Sequence, residues 1–356
     1  MRRRAVLGAI GALALAPAYA HAERDDHALL DAIDLDGAPG AAIGVVRAGR
    51  IVVLGGRGRR GPFDARTPGA DTVFEIGSLT KTFTACLVFA LAADGLLDID
   101  APIAAYVDDL PLTWRDRSLA SLLAHTGGLP EYLDATNFRT LMPQALTPRE
   151  IVAIAADRPL AFAAGTRHVY SNTGYVLLGM AAEAVGGASY WTQLDTRFFR
   201  PAGMTRTGPR TQVQAGDDVA TGRFWTGVDW DDVPPPAAPG ATFSAGGLVS
   251  TARDLARWAI ALDAGQLVDA SLRERMWRRA LLADGTAIDW GLGWKIEASS
   301  ERPVVAHGGG TAGFSCWFRR DIAARLTTIV LTNQNGRADP ALMSDALEAA
   351  LQSQSR

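Results

Sequence analysis

The chain has 356 residues, of which 48% are hydrophobic, 21% charged and 8% aromatic. These near-average globular proportions exclude a disordered, collagen-like or coiled-coil protein. A net charge of -3, with no basic block beyond the extreme N-terminus, argues against a nucleic-acid partner. Lysine occurs only at Lys81 and Lys295, the other basic residues being arginine. A lysine in a chemically meaningful setting therefore weighs more than usual.

The first element is an export signal. Three arginines at positions 2–4, an apolar run over 5–17 and small-x-small sites at 18–22 read as a signal peptide over 1–22. The run is shorter than the roughly 20 residues of a membrane span, so no stable membrane anchor is expected after cleavage. The adjacent arginines also resemble a twin-arginine signal. A periplasmic or secreted protein is expected.

Apolar runs at 41–47 and 51–54, joined by the turn Ala48-Gly49, read as a β-hairpin. A helix follows over 78–94, with Ser78 as N-cap and Gly95 just past its end. Residues 98–205 are rich in Ala and Leu at helical spacing. The Pro/Gly-rich stretch over 208–242, which carries Phe224, Trp225 and Trp230, is too long for a bare connection and reads as a functional loop or flap. Its aromatics are expected in the cleft or in core or lid packing. Strand signals return at 303–306, 314–318 and 326–332, before a last helix over 340–352.

Strands at both chain ends and helices between them predict an α+β fold. One antiparallel sheet is built from both termini and flanked by helices, with a helical insertion. The sheet lobe is assigned to 23–100 and 240–356 and the helical lobe to 101–239. A ligand is expected in the cleft between them. Cys86 and Cys316 read as two buried free thiols, with a single bridge in an oxidising compartment as the alternative, and the five histidines show no zinc spacing, so neither metal nor other cofactor is expected.

The chemistry starts at F-E-I-G-S-L-T-K over 74–81. Ser78 and Lys81, at i and i+3, share one face of a helix's first turn. A serine hydroxyl needs a base to become a good nucleophile. Lysine serves if burial and the helix dipole lower its pKa, whereas arginine keeps its proton. The plain alternative is a capped helix followed by a solvated lysine. Two further stretches favour the chemical reading. V-Y-S-N over 169–172 offers the Tyr170 phenol beside the Asn172 amide, and H-G-G-G over 307–310 ends a strand with glycines that let a substrate approach bare backbone. A phenolate at neutral pH needs about 4 kcal/mol of bias, for which a nearby ammonium is the expected source. Nucleophile, proton partner and general base are thus Ser78, Lys81 and Tyr170.

These three stretches, in this order, resemble the serine β-lactamase and penicillin-binding-protein-like superfamily. The nearest branch contains class C β-lactamases, DD-peptidases, D-aminopeptidases and family VIII esterases. Stretches at 125–129, 199–204, 245–255 and 290–294 support the likeness. The resemblance implies that Ser78 is acylated, Lys81 shares its proton, and Tyr170 activates Ser78 and then water. It also implies that Asn172, His307 and Gly309 bind substrate and that the backbone N–H groups of Ser78 and Gly310 form an oxyanion hole. The chain departs from the class C pattern where His307-Gly308-Gly309 stands in place of Lys-Thr-Gly. A mostly neutral imidazole holds a carboxylate less well than an ammonium, so an ester or a D-amino-acid peptide or amide ranks ahead of a β-lactam. The partner is thus a small-molecule or peptide substrate. A conventional Ser-His-Asp hydrolase is rejected because no serine lies in a G-x-S-x-G elbow. The rival of another class is a penicillin- or cell-wall-binding module that has lost turnover.

Overall fold

The computed structural model describes residues 27–134, 138–141, 144–214, 216–233, 240–265, 267, 269–297 and 304–353. The signal-peptide segment and the proline run at 234–236 lie outside the described residues. Strands β1 (Gly40–Arg47) and β2 (Arg50–Gly58) form the expected hairpin. Ala48 and Gly49 both have positive φ, 52° and 76°, as a tight turn between right-twisted strands demands. Further strands are β3 (Lys295–Ile296), β4 (Val304–Gly310), β5 (Ser315–Asp321) and β6 (Leu326–Thr332). All pair antiparallel in the order β2-β1-β6-β5-β4-β3. The first hairpin thus lies beside the last strands of the chain, as the distribution of strand signals implies.

The two-residue periodicity of β1 sends its side chains into two cores. Ile43 and Val45 pack with Val330, Met343, Leu347 and Leu351, the last three from the terminal helix Pro340–Ser353. Ala42 and Val46 face the larger core with Phe83, Leu255 and Trp258. Helices therefore cover both faces of the sheet, which is why β1 reads as an almost continuous apolar run.

Helix α1 (Thr80–Ala93) runs through the larger core and is buried on nearly all sides. A 3₁₀ turn, Gly77–Leu79, leads into it. Ser78 is consequently not the N-cap, correcting the sequence expectation. The cap position is Leu79, with no side-chain cap, and the serine hydroxyl is left for other partners. Gly77 has φ +47°, and a Cβ there would lie 2.6 Å from the Gly310 carbonyl oxygen. Glycine at this point lets the turn that holds Ser78 press against the end of β4.

Helix α2 (Asn172–Gly186) packs across α1. Ser171 caps it by accepting the Gly174 N–H. In the 208–242 stretch, Arg223–Trp225 pairs with Trp230–Asp232 as a hairpin, and with Gln334–Asn335. Trp225 and Trp230 pack together with ring centroids 5.1 Å apart and their planes tilted by 59°. Cys86 and Cys316 are buried and free. Among the described residues, no helix is long and apolar enough to cross a membrane.

Candidate active site

Ser78, at the mouth of α1, lines two cavities. The larger, about 310 Å³, is also lined by Tyr170, Trp290, Lys295, residues 307–310 of β4 and Trp317. The smaller, about 210 Å³, is also lined by Gly77, Leu133, Asn172, Thr242, Ala245, Gly246, Gly310 and Thr311. A bond placed over Ser78 would have one substituent in each. The loop aromatics Phe224, Trp225 and Trp230 line neither cavity.

Lys81 is fully buried, and its Nζ donates to the Ser78 Oγ at 3.2 Å, the Asn172 Oδ1 at 2.7 Å and the Ala245 carbonyl at 2.6 Å. These use all three donors of an ammonium. Burial lowers its pKa to about 7, against the opposing pull of the Glu131 carboxylate. When the amine is neutral its two hydrogens stay on the two carbonyl oxygens, which cannot donate. Its lone pair is then left facing Ser78, the one partner whose hydroxyl can give up a proton.

Tyr170 is hydrogen-bonded to the Ser78 side chain. Its ring lies 4.7 Å from the Lys81 Nζ, and 4.3 Å from the ring of His125. The expectation of a phenolate favoured by the ammonium is not what this site provides. Burial, reinforced by Glu131, raises the phenol's pKa, and the Ser78 hydrogen bond only partly opposes it. The proton thus rests on Tyr170 and leaves Lys81 more readily.

His125 is the platform beneath the tyrosine. It follows a short helix, Leu119–Leu123, in a left-handed turn at φ 57°. Its Nδ1 accepts the Ser171 N–H at 3.0 Å, and its carbonyl accepts the Val169 N–H at 3.1 Å. The extended segment carrying Tyr170 is thus clamped on both sides. His168 is exposed and packs on Trp290 at 5.4 Å.

Asn172 opens α2, where its Oδ1 accepts from Lys81 and its Nδ2 donates to the Glu131 Oε1 at 3.1 Å. The other carboxylate oxygen of Glu131 accepts the Asn172 N–H at 2.6 Å. A carboxylate at a helix N-terminus is favoured there by the orphan N–H groups and the dipole. The asparagine therefore relays a half-buried carboxylate to the buried amine while also lining the smaller cavity. Sequence reasoning missed Glu131. Its position just beyond the H-T-G-G-L stretch at 125–129 was the available signal.

His307 is buried on β4, its Nδ1 donating to the Gly308 carbonyl at 2.6 Å. Burial first, and then Lys81, bring its pKa down to about 3. The imidazole is therefore neutral, as the sequence comparison with a lysine at this position anticipated. Gly309 pairs with Cys316, and a Cβ on it would lie 1.9 Å from the Ile76 carbonyl oxygen. Gly310 and Ser78 both face the point where the two cavities meet. Among the described residues, no group of His, Cys, Asp and Glu is arranged to hold a metal ion.

A family model described as Beta-lactamase matches residues 29–352. The chain belongs to the beta-lactamase family. Among curated relatives, penicillin-binding protein 4* of Bacillus subtilis (strain 168) is 29% identical over 278 residues, covering 74% of this chain and 61% of the relative. The D-aminopeptidase of Brucella anthropi is 26% identical over 307 residues, covering 84% of this chain and 57% of the relative. The chain thus spans about 60% of the length of these relatives. Solved structures of similar fold include a D-stereospecific amidohydrolase from Streptomyces sp., with TM-score 0.77 and 26% identity over 92% of this chain and 98% of that one. A D-amino acid amidase from Ochrobactrum anthropi SV3, complexed with L-phenylalanine, has TM-score 0.81 and 25% identity over 93% of this chain and 99% of that one. This beta-lactamase-family member therefore has hydrolase relatives and the mixed helix-and-sheet fold that its motifs implied.

Proposed function

We propose that the protein is an exported serine hydrolase that forms an acyl-enzyme on Ser78 and cleaves an ester or a D-amino-acid peptide or amide bond. The observation that carries this reading is the buried Lys81 amine, 3.2 Å from the Ser78 hydroxyl, with a pKa brought down to about 7. Neutral Lys81 takes the Ser78 proton as the Oγ attacks the carbonyl carbon. The backbone N–H groups of Ser78 and Gly310 hold the developing oxyanion. Tyr170 gives its phenolic proton to the leaving nitrogen or oxygen, leaving a Lys81 ammonium beside a Tyr170 phenolate. The phenolate then takes a proton from water, hydroxide attacks the acyl carbon, and Lys81 returns its proton to the departing Ser78 oxygen. Both groups end in their starting states.

The D-aminopeptidase and D-amino acid amidase relatives support a D-configured amide or peptide. The neutral His307 supports placing a β-lactam behind these. Intact-mass measurement after exposure to esters, D-peptides and penicillins tests the reading. The expected result is an adduct that maps to Ser78 and is absent from Ser78→Ala. An adduct on another residue, or turnover that survives Ser78→Ala, would overturn it. Export rests on the sequence pattern over 1–22, and N-terminal sequencing of periplasmic protein is expected to begin after that segment.

A further inference from the structure

A second cluster of charged groups lies in the core, outside the two cavities at Ser78. Arg320 extends from β5 into the larger core, in the row of Cys316 and Phe318 that the two-residue period of the strand sets. It is 1% exposed, and its Nη2 donates to Asp263, the last residue of the helix Ala252–Asp263. Arg273, from the helix Ala270–Met276, reaches the same helix end. Its Nη1 donates to the Leu262 carbonyl and, at 3.5 Å, to that of Asp263. Both guanidinium groups lie by the Trp277 ring, their central carbons 5.2 Å (Arg320) and 5.9 Å (Arg273) from its centroid.

Four buried N–H groups of this cluster have no partner among the described residues: the Nε and Nη1 of Arg320, the Nε of Arg273 and the Nε1 of Trp277. All four can only donate, and native proteins rarely leave buried donors unmet. The charges do not balance either. Asp263 is the one carboxylate in ion-pair contact with either arginine among the described residues. Burial lowers the pKa of Arg320 to about 10 against the pull of Asp263, so it remains a cation at neutral pH. Cys86, on α1, feels both guanidinium groups, but burial outweighs them and pushes the thiol up to about 12, so no thiolate forms to balance them. The helix end carries only a partial negative charge, and the Arg273 Nη1 already uses its carbonyls. One positive charge is left over beside a buried guanidinium, which is unfavourable unless something neutralises it.

A water molecule would accept two of these four hydrogens and bring two of its own to place. A monatomic anion accepts from every direction, donates nothing and cancels the surplus charge. We propose that Arg320, Arg273 and Trp277 form a buried halide site, which chloride fills in ordinary salt solution and which fastens β5 to the helices Ala252–Asp263 and Ala270–Met276. The ion is a structural ligand, separate from the chemistry at Ser78.

Thermal unfolding of the purified protein tests this, with sodium gluconate exchanged stepwise for sodium chloride or bromide at a constant ionic strength of about 0.2 M. The native protein is expected to melt about 2–5 °C higher in either halide, and the rise should saturate with halide concentration. Arg273→Met removes the surplus charge and one donor, and should abolish the rise. Trp277→Phe keeps an aromatic ring but not the N–H, and should weaken halide affinity by roughly three- to ten-fold. Chloride NMR line broadening reads that affinity without unfolding, and a bromide-soaked crystal should show an anomalous peak among the three side chains. No saturable rise and no line broadening would mean that internal water meets the donors, and would overturn the proposal. A halide effect that both variants retain in full, or a bromide peak only elsewhere, would overturn it too. Should Arg273→Met fail to fold, Trp277→Phe and the bromide peak decide. None of these outcomes depends on the role of Ser78.

Discussion

Replacing Glu131 with glutamine tests whether Lys81 is the titrating base. Glutamine keeps a carbonyl oxygen for the Asn172 and Thr173 N–H groups, which Glu131 accepts at 2.6 and 3.5 Å. It removes the negative charge and turns the other oxygen, which accepts from the Asn172 Nδ2 and the Leu133 N–H, into an amide donor. Two hydrogen bonds in series, 2.7 and 3.1 Å, link Lys81 to Glu131 through the Asn172 amide, so the charges lie on the order of 7 Å apart. At an effective dielectric of ~20 that separation corresponds to about 2 kcal/mol, or ~1.5 pH units. Solvent around the half-buried carboxylate trims this to roughly one unit. The sign follows from which form is favoured. Glu131 stabilises protonated Lys81, and the neutral amine is the competent base, so losing the carboxylate lowers the pKa from about 7. The acidic limb of kcat/KM against pH should therefore move down by about one unit. The assay is hydrolysis of a p-nitrophenyl ester, read at the isosbestic wavelength. A limb that stays in place, or moves to higher pH, would refute the assignment of Lys81.

Three further perturbations follow from the same geometry. Tyr170→Phe should slow amide hydrolysis by about 10²–10⁴-fold, the usual range for a lost general acid, and slow acylation by a p-nitrophenyl ester far less, because p-nitrophenolate leaves without a proton. Equal losses in pre-steady-state acylation of both substrates would contradict the role given to the phenol. Gly309→Ala places a methyl group 1.9 Å from the Ile76 carbonyl oxygen, a backbone clash that must push β4 off the Ser78 turn. Reduced acylation and a lower melting temperature are expected, and unchanged values of both would count against this close approach. Arg320 is buried and paired with Asp263. Asp263→Ala should therefore cost about 3–5 kcal/mol by stranding the guanidinium. Urea denaturation should show Asp263→Ala combined with Arg320→Leu to be more stable than Asp263→Ala alone, and no such recovery would contradict a stranded charge.

Local chemistry made several parts readable from the chain itself. The β1–β2 hairpin was legible because two apolar runs and a two-residue turn are encoded within 20 neighbouring positions. Lys81 stood out because an S-x-x-K spacing fixes two side chains on one helical turn, and because lysine is otherwise almost absent. His307 was read as a mostly neutral imidazole, and burial lowers its pKa. What the sequence could not supply is the field in which these groups sit. Glu131 acts on Lys81 through Asn172, from 50 positions away along the chain. The Ala245 carbonyl that orients the amine comes from a separate short helix, Phe243–Gly246. Burial, a property of the whole fold, pushes the amine down and the phenol up, and so reverses the protonation expected when Lys81 and Tyr170 are considered as an isolated pair. Lys295 was visible only as a rare residue until β3 aligned it with β4 at the rim of the cleft. Covalent spacing decides which groups can meet within a turn or a hairpin. Dielectric environment and encounters across strands exist only once the chain has closed on itself.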